Sequence, residues 1–436
     1  MRQKVFWIAA SCILVVLSLR PVFSSGAEPA GKEKVIYSFQ GGADGAAPMS
    51  DLTLDGAGNL YGTTSGGGGA GYGTVFELRH SANGWSERVL YSFTGGTDGG
   101  SPLAGVIFDA KGNLYGTSLG GGGENAGVVF RLTPASHGGW HENTLYAFPF
   151  YGSGGRGPES DLVFDTQANL YGTTLGGAGG QCSSGDGCGA VFKLAPHPDG
   201  SWTETTVHVF TGPPDGGIPS GLVLDADGNL YGTTQVGGSG NCRPANYEEG
   251  PPGDCGTLFK LTRHDDGTWT ETILYNFSRG GGSGVYPSGT PLFNKAGQLF
   301  GVTHAGGDGI GALVELHDTQ NRGWQERVLH IFQGFPRDGI GPTGRLVIDA
   351  NGDLFGVTSH GGSGGEFGDG IIFGVAYSSN TWKESILHKF TGSPDGTNPS
   401  AGLISDARGQ LYGTTPGGGS GTGCSGGCGT VFEVTP

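Results

Sequence analysis

The tetrapeptide Leu-Tyr-Gly-Thr, or a close variant, occurs seven times, with its aromatic residue at Tyr61, Tyr115, Tyr171, Tyr231, Phe300, Phe355 and Tyr412. Successive copies stand 54, 56, 60, 69, 55 and 57 residues apart. One structural unit is therefore written seven times with loops of unequal length. A unit of this period, filled with short strand patterns, predicts a blade of a β-propeller.

The fourth unit illustrates the pattern. Gly221-Leu-Val-Leu-Asp225 reads as a short apolar strand, and Asp225-Ala-Asp-Gly228 as a type I reversal, with Asp first and Gly fourth. Asn229-Leu-Tyr-Gly-Thr-Thr234 is a second strand, Gly256-Thr-Leu-Phe-Lys-Leu261 a third, and Trp269 to Phe277 a fourth. The fourth-strand endings recur as Phe39, Phe93, Phe148, Phe210, Phe277, Phe332 and Phe390. The first of these precedes any complete unit, whereas the sequence runs out at Pro436 after a third strand. The expected fold is thus all-β, a seven-bladed β-propeller with four antiparallel strands per blade. The N-terminal strand around Lys34–Phe39 closes the last blade, which leaves no open sheet edge.

Glycine supplies 93 of 436 residues and proline 23, a level that without periodicity would suggest a low-complexity chain. Here the glycines fall at fixed offsets and read as turns. Charged residues make up only 14% and hydrophobic residues 35%, enough for seven small sheets that bury one another. A formal charge of −16 argues against nucleic acid or an anionic membrane as partner.

Arg2 and Lys4 precede an apolar run from Val5 to Leu19, followed by small residues up to Ala27. Residues 1–27 read as a secretory signal peptide, which leaves 28–436 as one propeller domain without a membrane span. The protein is expected to be secreted, periplasmic or extracellular, and a monomer. Six further cysteines form three local pairs, Cys182 with Cys188, Cys242 with Cys255 and Cys424 with Cys428, each in the loop after a Leu-Tyr-Gly-Thr strand. In an exported chain these predict disulfides.

Loops between strands two and three share one face with the connections between blades, and long loops on a rigid scaffold are the usual place for binding. The connections carry Asp44, Asp98, Asp215, Asp338 and Asp395, each followed by Gly and, four residues on, by Pro. They read either as a carboxylate ring at the channel mouth, able to bind Ca²⁺ or a cationic group, or as Asp-Gly turns that accept backbone N–H bonds. No other cofactor is expected. Departures from the repeat are better candidates for function. Arg156 lies where the third connection lacks its Asp, and Ser283 replaces the Asp of another. His304 and His360 enter the glycine loops of the two Phe-Gly-Val units, near Asp308, Glu366 and Asp369, as a possible metal-binding or acid–base pair. His208, His330 and His388 stand where other units have Tyr and read as packing residues. A ladder of Trp85, Trp140, Trp202, Trp269, Trp324 and Trp382, each followed two residues on by Glu, reads as covering blade edges or as sugar-binding. No nucleophile, zincin or phosphate-loop signature is present outside glycine tracts, where such matches mean nothing.

The pair Leu-Tyr-Gly-Thr-Thr and Gly-Thr-Val-Phe-x-Leu, recurring from residue 34 to 436, resembles the GloVer tandem repeat of bacterial exported "choice-of-anchor" proteins. The resemblance implies an extracytoplasmic protein of uncharacterised activity. Family members differ in their surface-sorting tails. This chain departs from that pattern by ending at Val434-Thr435-Pro436, which leaves its surface anchoring open. Inner-strand sequences such as Pro219-Ser-Gly-Leu-Val-Leu also look like the broader propeller group with streptogramin lyase and lactonase-like proteins, at the level of fold only. The leading expectation is a non-catalytic propeller binding a polysaccharide or an extracellular protein on its loop-bearing face. The alternatives are a glycan- or lactone-directed lyase or hydrolase at the channel mouth, using His304, His360 and Arg156, and a structural envelope protein.

Overall fold

The computed structural model describes residues 32–151, 154–180, 182, 187–240, 242, 255–279, 284–306, 310–319, 321–364 and 366–436. The expected signal peptide, Ser283 and Asp308 lie outside them. The described residues form seven antiparallel blades, a two-stranded ribbon of Gly396–Thr397 with Gly417–Gly418, and no helix, so no helix is long and apolar enough to cross a membrane. Each sheet runs inner, second, third and outer strand, as in blade four: Gly216–Leu224, Leu230–Gly237, Thr257–Arg263 and Trp269–Asn276. Blade seven is assembled from Ile404–Ser405, Leu411–Thr415, Thr430–Thr435 and, as its outer strand, Lys32–Ser38. Lys32 pairs with Thr435 and Ser38 with Thr430, so the ring is closed by backbone hydrogen bonds between the two ends of the fold.

The repeated motif has a packing cause. Each outer strand ends in a Phe, and six of the seven pack edge-on against the third-strand Phe of the next blade, as in Phe39–Phe76, Phe148–Phe192 and Phe390–Phe432, with ring centroids 5.1, 5.1 and 5.3 Å apart. The third-strand Phe in turn lies over the motif glycine of its own blade. A Cβ at Gly172 would stand 2.6 Å from Phe192 Cζ, and one at Gly413 2.5 Å from Phe432 Cζ. Blade five has Val314 in place of that Phe, and there a Cβ at Gly301 meets nothing within 4 Å. The motif glycine thus makes room for a ring.

The motif Tyr closes the hairpin between inner and second strands. Tyr61, Tyr115 and Tyr171 donate their hydroxyls to Asp55, Asp109 and Asp165, which also accept backbone N–H bonds from the turn. Its ring receives the Trp of the following blade's outer strand: Trp85 on Tyr412, Trp202 on Tyr115, Trp269 on Tyr171. The Trp ladder is therefore blade-to-blade packing.

All seven outer strands carry a bulge at the same point, between the third-strand Val-Phe pair and its partners; in blade three Val191 faces His208 and Phe192 faces Thr206. A bulge re-aims the next side chain. Here that side chain is Tyr37, Tyr91, Tyr146, His208, Tyr275, His330 or His388, and it points toward the connection to the next blade.

Candidate functional site at the channel mouth

The inner strands run inward from the loop-bearing face, and the residue just before the apolar run of each rings the central channel. Position by position the ring holds Asp51, Gly105, Asp161, Gly221, Thr290, Arg345 and Gly402. The glycines are there because the strands crowd: a Cβ at Gly402 would lie 2.5 Å from Arg345 N, and one at Gly105 2.6 Å from Asp51 O. Against that background of small residues, Asp51, Asp161 and Arg345 are the departures. Arg345 Nε stands 3.6 Å from Asp51 Oδ2. The backbone N–H of Gly402 donates to Asp51 at 2.5 Å and that of Gly105 to Asp161 at 2.7 Å. Burial, and next the neighbouring Asp51 carboxylate, push Asp161 up to about 7, while burial pushes Glu159 to about 7. The four side chains line a cavity of about 190 Å³ together with Ser220, Gln235, Thr290, Thr343 and Ser400. The Oγ atoms of Ser220 and Ser400 are buried and have no hydrogen-bond partner among the described residues.

Near neutral pH this site offers two carboxyls, Asp161 and Glu159, able to gain or lose a proton, beside the Asp51 side chain, a guanidinium and idle hydroxyls. It can therefore donate and accept hydrogen bonds in many directions while carrying little net charge. None of its residues is singled out by within-blade periodicity. The usable signal is the residue just upstream of each inner apolar strand, where two Asp and one Arg interrupt a run of small residues.

The sequence-predicted candidates fall elsewhere. The connection aspartates are not at the channel mouth; they lie out at the ends of the outer strands, where each accepts turn hydrogen bonds. Asp44 accepts the Gln40 N–H and the Tyr37 hydroxyl, Asp98 the Thr94 N–H and the Tyr91 hydroxyl, and Asp215 the Thr211 N–H. Asp338 and Asp395 do the same with the Gln333 and Thr391 N–H groups, and their other partners are His330 and His388. Those histidines, with His208, do pack edge-on against Phe332, Phe390 and Phe210, but packing is only half of their environment.

His304 and His360 sit on neighbouring blades and come close enough to sense each other: burial, then the charge of His360, lowers the pKa of His304. His360 shares hydrogen bonds with Ser359 Oγ at 3.0 Å and Asn398 Nδ2 at 3.3 Å, while Asp369 accepts from Thr397 instead. Arg156 is not brought to this pair. It lies on blade three, its guanidinium 4.3 Å from the centre of the Phe150 ring, and lines a mainly apolar recess of about 360 Å³ with Leu119, Leu175 and Ile218. The three disulfides are formed, with Cα–Cα distances of 5.2, 5.4 and 5.2 Å, and they suit an oxidising compartment.

Among solved structures, the fold is similar to a Carbohydrate-Active Enzymes Family AA12 protein from Trichoderma reesei, at 13% identity and a TM-score of 0.43 over 93% of this chain and 96% of that one. It is also similar to a gluconolactonase from Xanthomonas campestris, at 14% identity and a TM-score of 0.39 over 75% and 83%. The PQQ domain of a pyranose dehydrogenase from Coprinopsis cinerea matches at 12% and 0.43, over 93% and 96%. These likenesses say nothing of the chemistry of this chain. Comparison with curated proteins by sequence finds no match. The Gloeobacter/Verrucomicrobia repeat, in contrast, matches residues 23–244 and again 245–436, nearly the whole chain. The protein belongs to the Gloeobacter/Verrucomicrobia repeat family.

Proposed function

We propose that the protein is an exported binding protein that takes a polyhydroxylated ligand, one sugar ring or the terminal residue of a glycan, into the channel mouth. The supporting observation is the convergence of Asp51, Asp161, Glu159 and Arg345 on a small cavity whose Ser220 and Ser400 hydroxyls lack partners. Buried polar groups without partners are costly, and a ligand rich in hydroxyls would satisfy them. The cavity, about 190 Å³, falls below the roughly 300–1,000 Å³ of sites for larger ligands, so it suits one ring and not a threaded chain. The exposed Phe150 and Tyr151 beside Arg156, and the His304–His360 pair, lie on the same loop-bearing face, where the rest of a longer glycan would run. Isothermal titration with a panel of monosaccharides and short glycans tests the reading. At least one should bind, and Asp161→Asn and Ser400→Ala should each weaken it, the former by about tenfold or more. Absence of binding across the panel, or binding indifferent to both substitutions, refutes it.

A second reading has its own support. A carboxyl that holds its proton to about pH 7 beside a carboxylate and an arginine is equipped for general acid–base work on a glycan or lactone. In that case Asp161 is the acid and Asp51 the base, and the ligand found by titration is consumed over hours by the wild type and not by Asp161→Asn.

A further inference from the structure

The strongest unassigned feature is repeated three times at the rim. Between blades three and four, His208 Nε2 lies 3.5 Å from Asp215 Oδ1 and 4.0 Å from Glu271 Oε1. Between blades five and six, His330 Nε2 lies 3.1 Å from Asp338 and 3.8 Å from Glu384. Between blades six and seven, His388 Nε2 lies 3.0 Å from Asp395 and 3.8 Å from Glu33. In each cluster the donor atoms all fall within 4.8 Å of one another. One blade gives the His, the connection gives the Asp, and the next blade's outer strand gives the Glu.

Two further observations point to a ligand at these places. First, buried atoms of these side chains lack a hydrogen-bond partner among the described residues: in one cluster the facing atoms His208 Nε2, Asp215 Oδ1 and Glu271 Oε1, and in the other two the second carboxylate oxygens Glu384 Oε1, Asp395 Oδ1 and Glu33 Oε1, each on a carboxylate whose other oxygen faces the His. The Glu33 side chain is only 9% exposed. Second, the chain carries its own control. At other interfaces the His is Tyr, and a tyrosine hydroxyl donates to one acid: Tyr37 to Asp44 at 3.1 Å, Tyr91 to Asp98 at 2.9 Å, Tyr275 to Glu326 at 3.2 Å. The Tyr version joins two groups by one proton. The His version keeps that contact at two interfaces, His330 to Asp338 at 3.1 Å and His388 to Asp395 at 3.0 Å, but replaces the hydroxyl with an imidazole nitrogen that, unprotonated, offers a lone pair to a metal.

We propose that the three clusters, His208–Asp215–Glu271, His330–Asp338–Glu384 and His388–Asp395–Glu33, each bind one divalent transition-metal ion, zinc by ligand type, and clamp the adjacent blades together. Zinc takes imidazole nitrogen and carboxylate oxygen at about 2.0–2.2 Å in tetrahedral array, which separates its ligands by roughly 3.3–3.6 Å, a spacing that the observed 3.0–4.0 Å brackets. Three protein ligands leave the fourth position for water. Calcium, which takes six to eight oxygens, does not suit the set. The third site includes the N-terminal strand, so metal there would pin the ring's closure.

The test uses the full-length mature protein, stripped with a chelator, loaded with zinc sulfate, desalted and assayed by metal analysis. Three equivalents per chain are expected. His208→Tyr, His330→Tyr and His388→Tyr should each lower the count by one, and the triple variant should retain none. These substitutions install the residue that other blades carry at that position, so the metal-free thermal midpoints should stay near that of the wild type. If a Tyr variant fails to fold, Glu271→Gln, which keeps the side chain's size, removes one equivalent alone. Cobalt substitution should give the intense d–d absorption of four-coordinate cobalt. Fewer than three equivalents in the wild type, or a count the substitutions do not lower, overturns the proposal; the His–Asp contacts are then shared protons.

Discussion

If the motif glycine exists to seat a third-strand ring, adding one methyl group should have opposite effects in two blades. At Gly172 a Cβ would lie 2.6 Å from Phe192 Cζ, 2.9 Å from Leu162 Cδ2 and 3.0 Å from Phe192 Cε1, whereas ordinary contact begins at 3.4 Å. Something must move by nearly an ångström. Phe192 cannot move easily, because it is fully buried with its ring 5.1 Å from that of Phe148. Overpacking of this kind costs about 1–3 kcal/mol. Gly172→Ala also restricts the unfolded chain, which returns about 0.4–1 kcal/mol, so a net loss of about 1–2 kcal/mol is expected. At Gly301 the same change meets open space and a β-type backbone, and only the favourable contribution remains. Gly301→Ala should therefore stabilise by about 0.4–1 kcal/mol. The assay is guanidinium unfolding followed by tryptophan fluorescence, comparing midpoints at equal slope. The decisive variant is Gly172→Ala combined with Phe192→Val, which gives blade three the Val that blade five carries opposite its motif glycine and so makes room for the new methyl group. The double variant should lose less than the sum of the singles, by roughly the overpacking term. Equal losses for Gly172→Ala and Gly301→Ala, or strict additivity in the double variant, would refute the reasoning.

Two further outcomes are expected. Stability should rise as pH falls from 8 to about 5. Burial holds Glu33, Glu87, Glu142, Glu271 and Glu384 at about 7, above their unfolded value, so their folded forms are favoured once protonated and that advantage is lost as pH rises through 7. Below about 4 the trend should reverse: burial would raise the hairpin aspartates Asp55, Asp109, Asp165 and Asp225, but their hydrogen bonds outweigh it and hold them low, a stabilisation lost as they protonate. Thermal midpoints of chelator-treated protein between pH 3 and 8 check this, and a monotonic rise toward pH 8 would contradict it. Reduction of the disulfides should lower the midpoint without unfolding the blades, because the bridges close loops outside the sheets. Cys242–Cys255, separated by 13 residues, should contribute most, up to about 3 kcal/mol, so Cys242→Ser should account for more of the loss than Cys424→Ser.

The blade count, strand order and split last blade were legible because each rests on residues that recur at one offset, such as the Phe series from Phe39 to Phe390. The role of Gly172 was not, because it depends on Phe192 across the sheet. The channel site was hidden for a stronger reason: Asp51 and Asp161 are 110 residues apart and meet across Gly105, and no periodic pattern within a unit encodes a contact between blades one and three. The rim clusters show the intermediate case. Asp215 and the substitution of His for Tyr are both visible in sequence, but Glu271 comes from the next unit, so the His reads as packing until the blades are placed side by side. The connection aspartates followed the turn chemistry that Asp-Gly favours, and this took them to the rim instead of the pore.

Joining the outer strand Lys32–Ser38 to Thr430–Thr435 also sets an order of events. Six blades can form as soon as their own residues are available. The seventh must wait for the first and last strands of the fold, and pairing Ser38 with Thr430 closes a loop nearly seven times as long as an average blade. That extra length adds only about 1.7 kcal/mol of chain entropy relative to a loop one blade long. The larger consequence is temporal. Until the final residues arrive, the growing array keeps a bare strand edge at each end, the kind of edge that recruits another chain. The same joint that makes the finished ring edgeless leaves its precursor vulnerable until Thr430–Thr435 is in place.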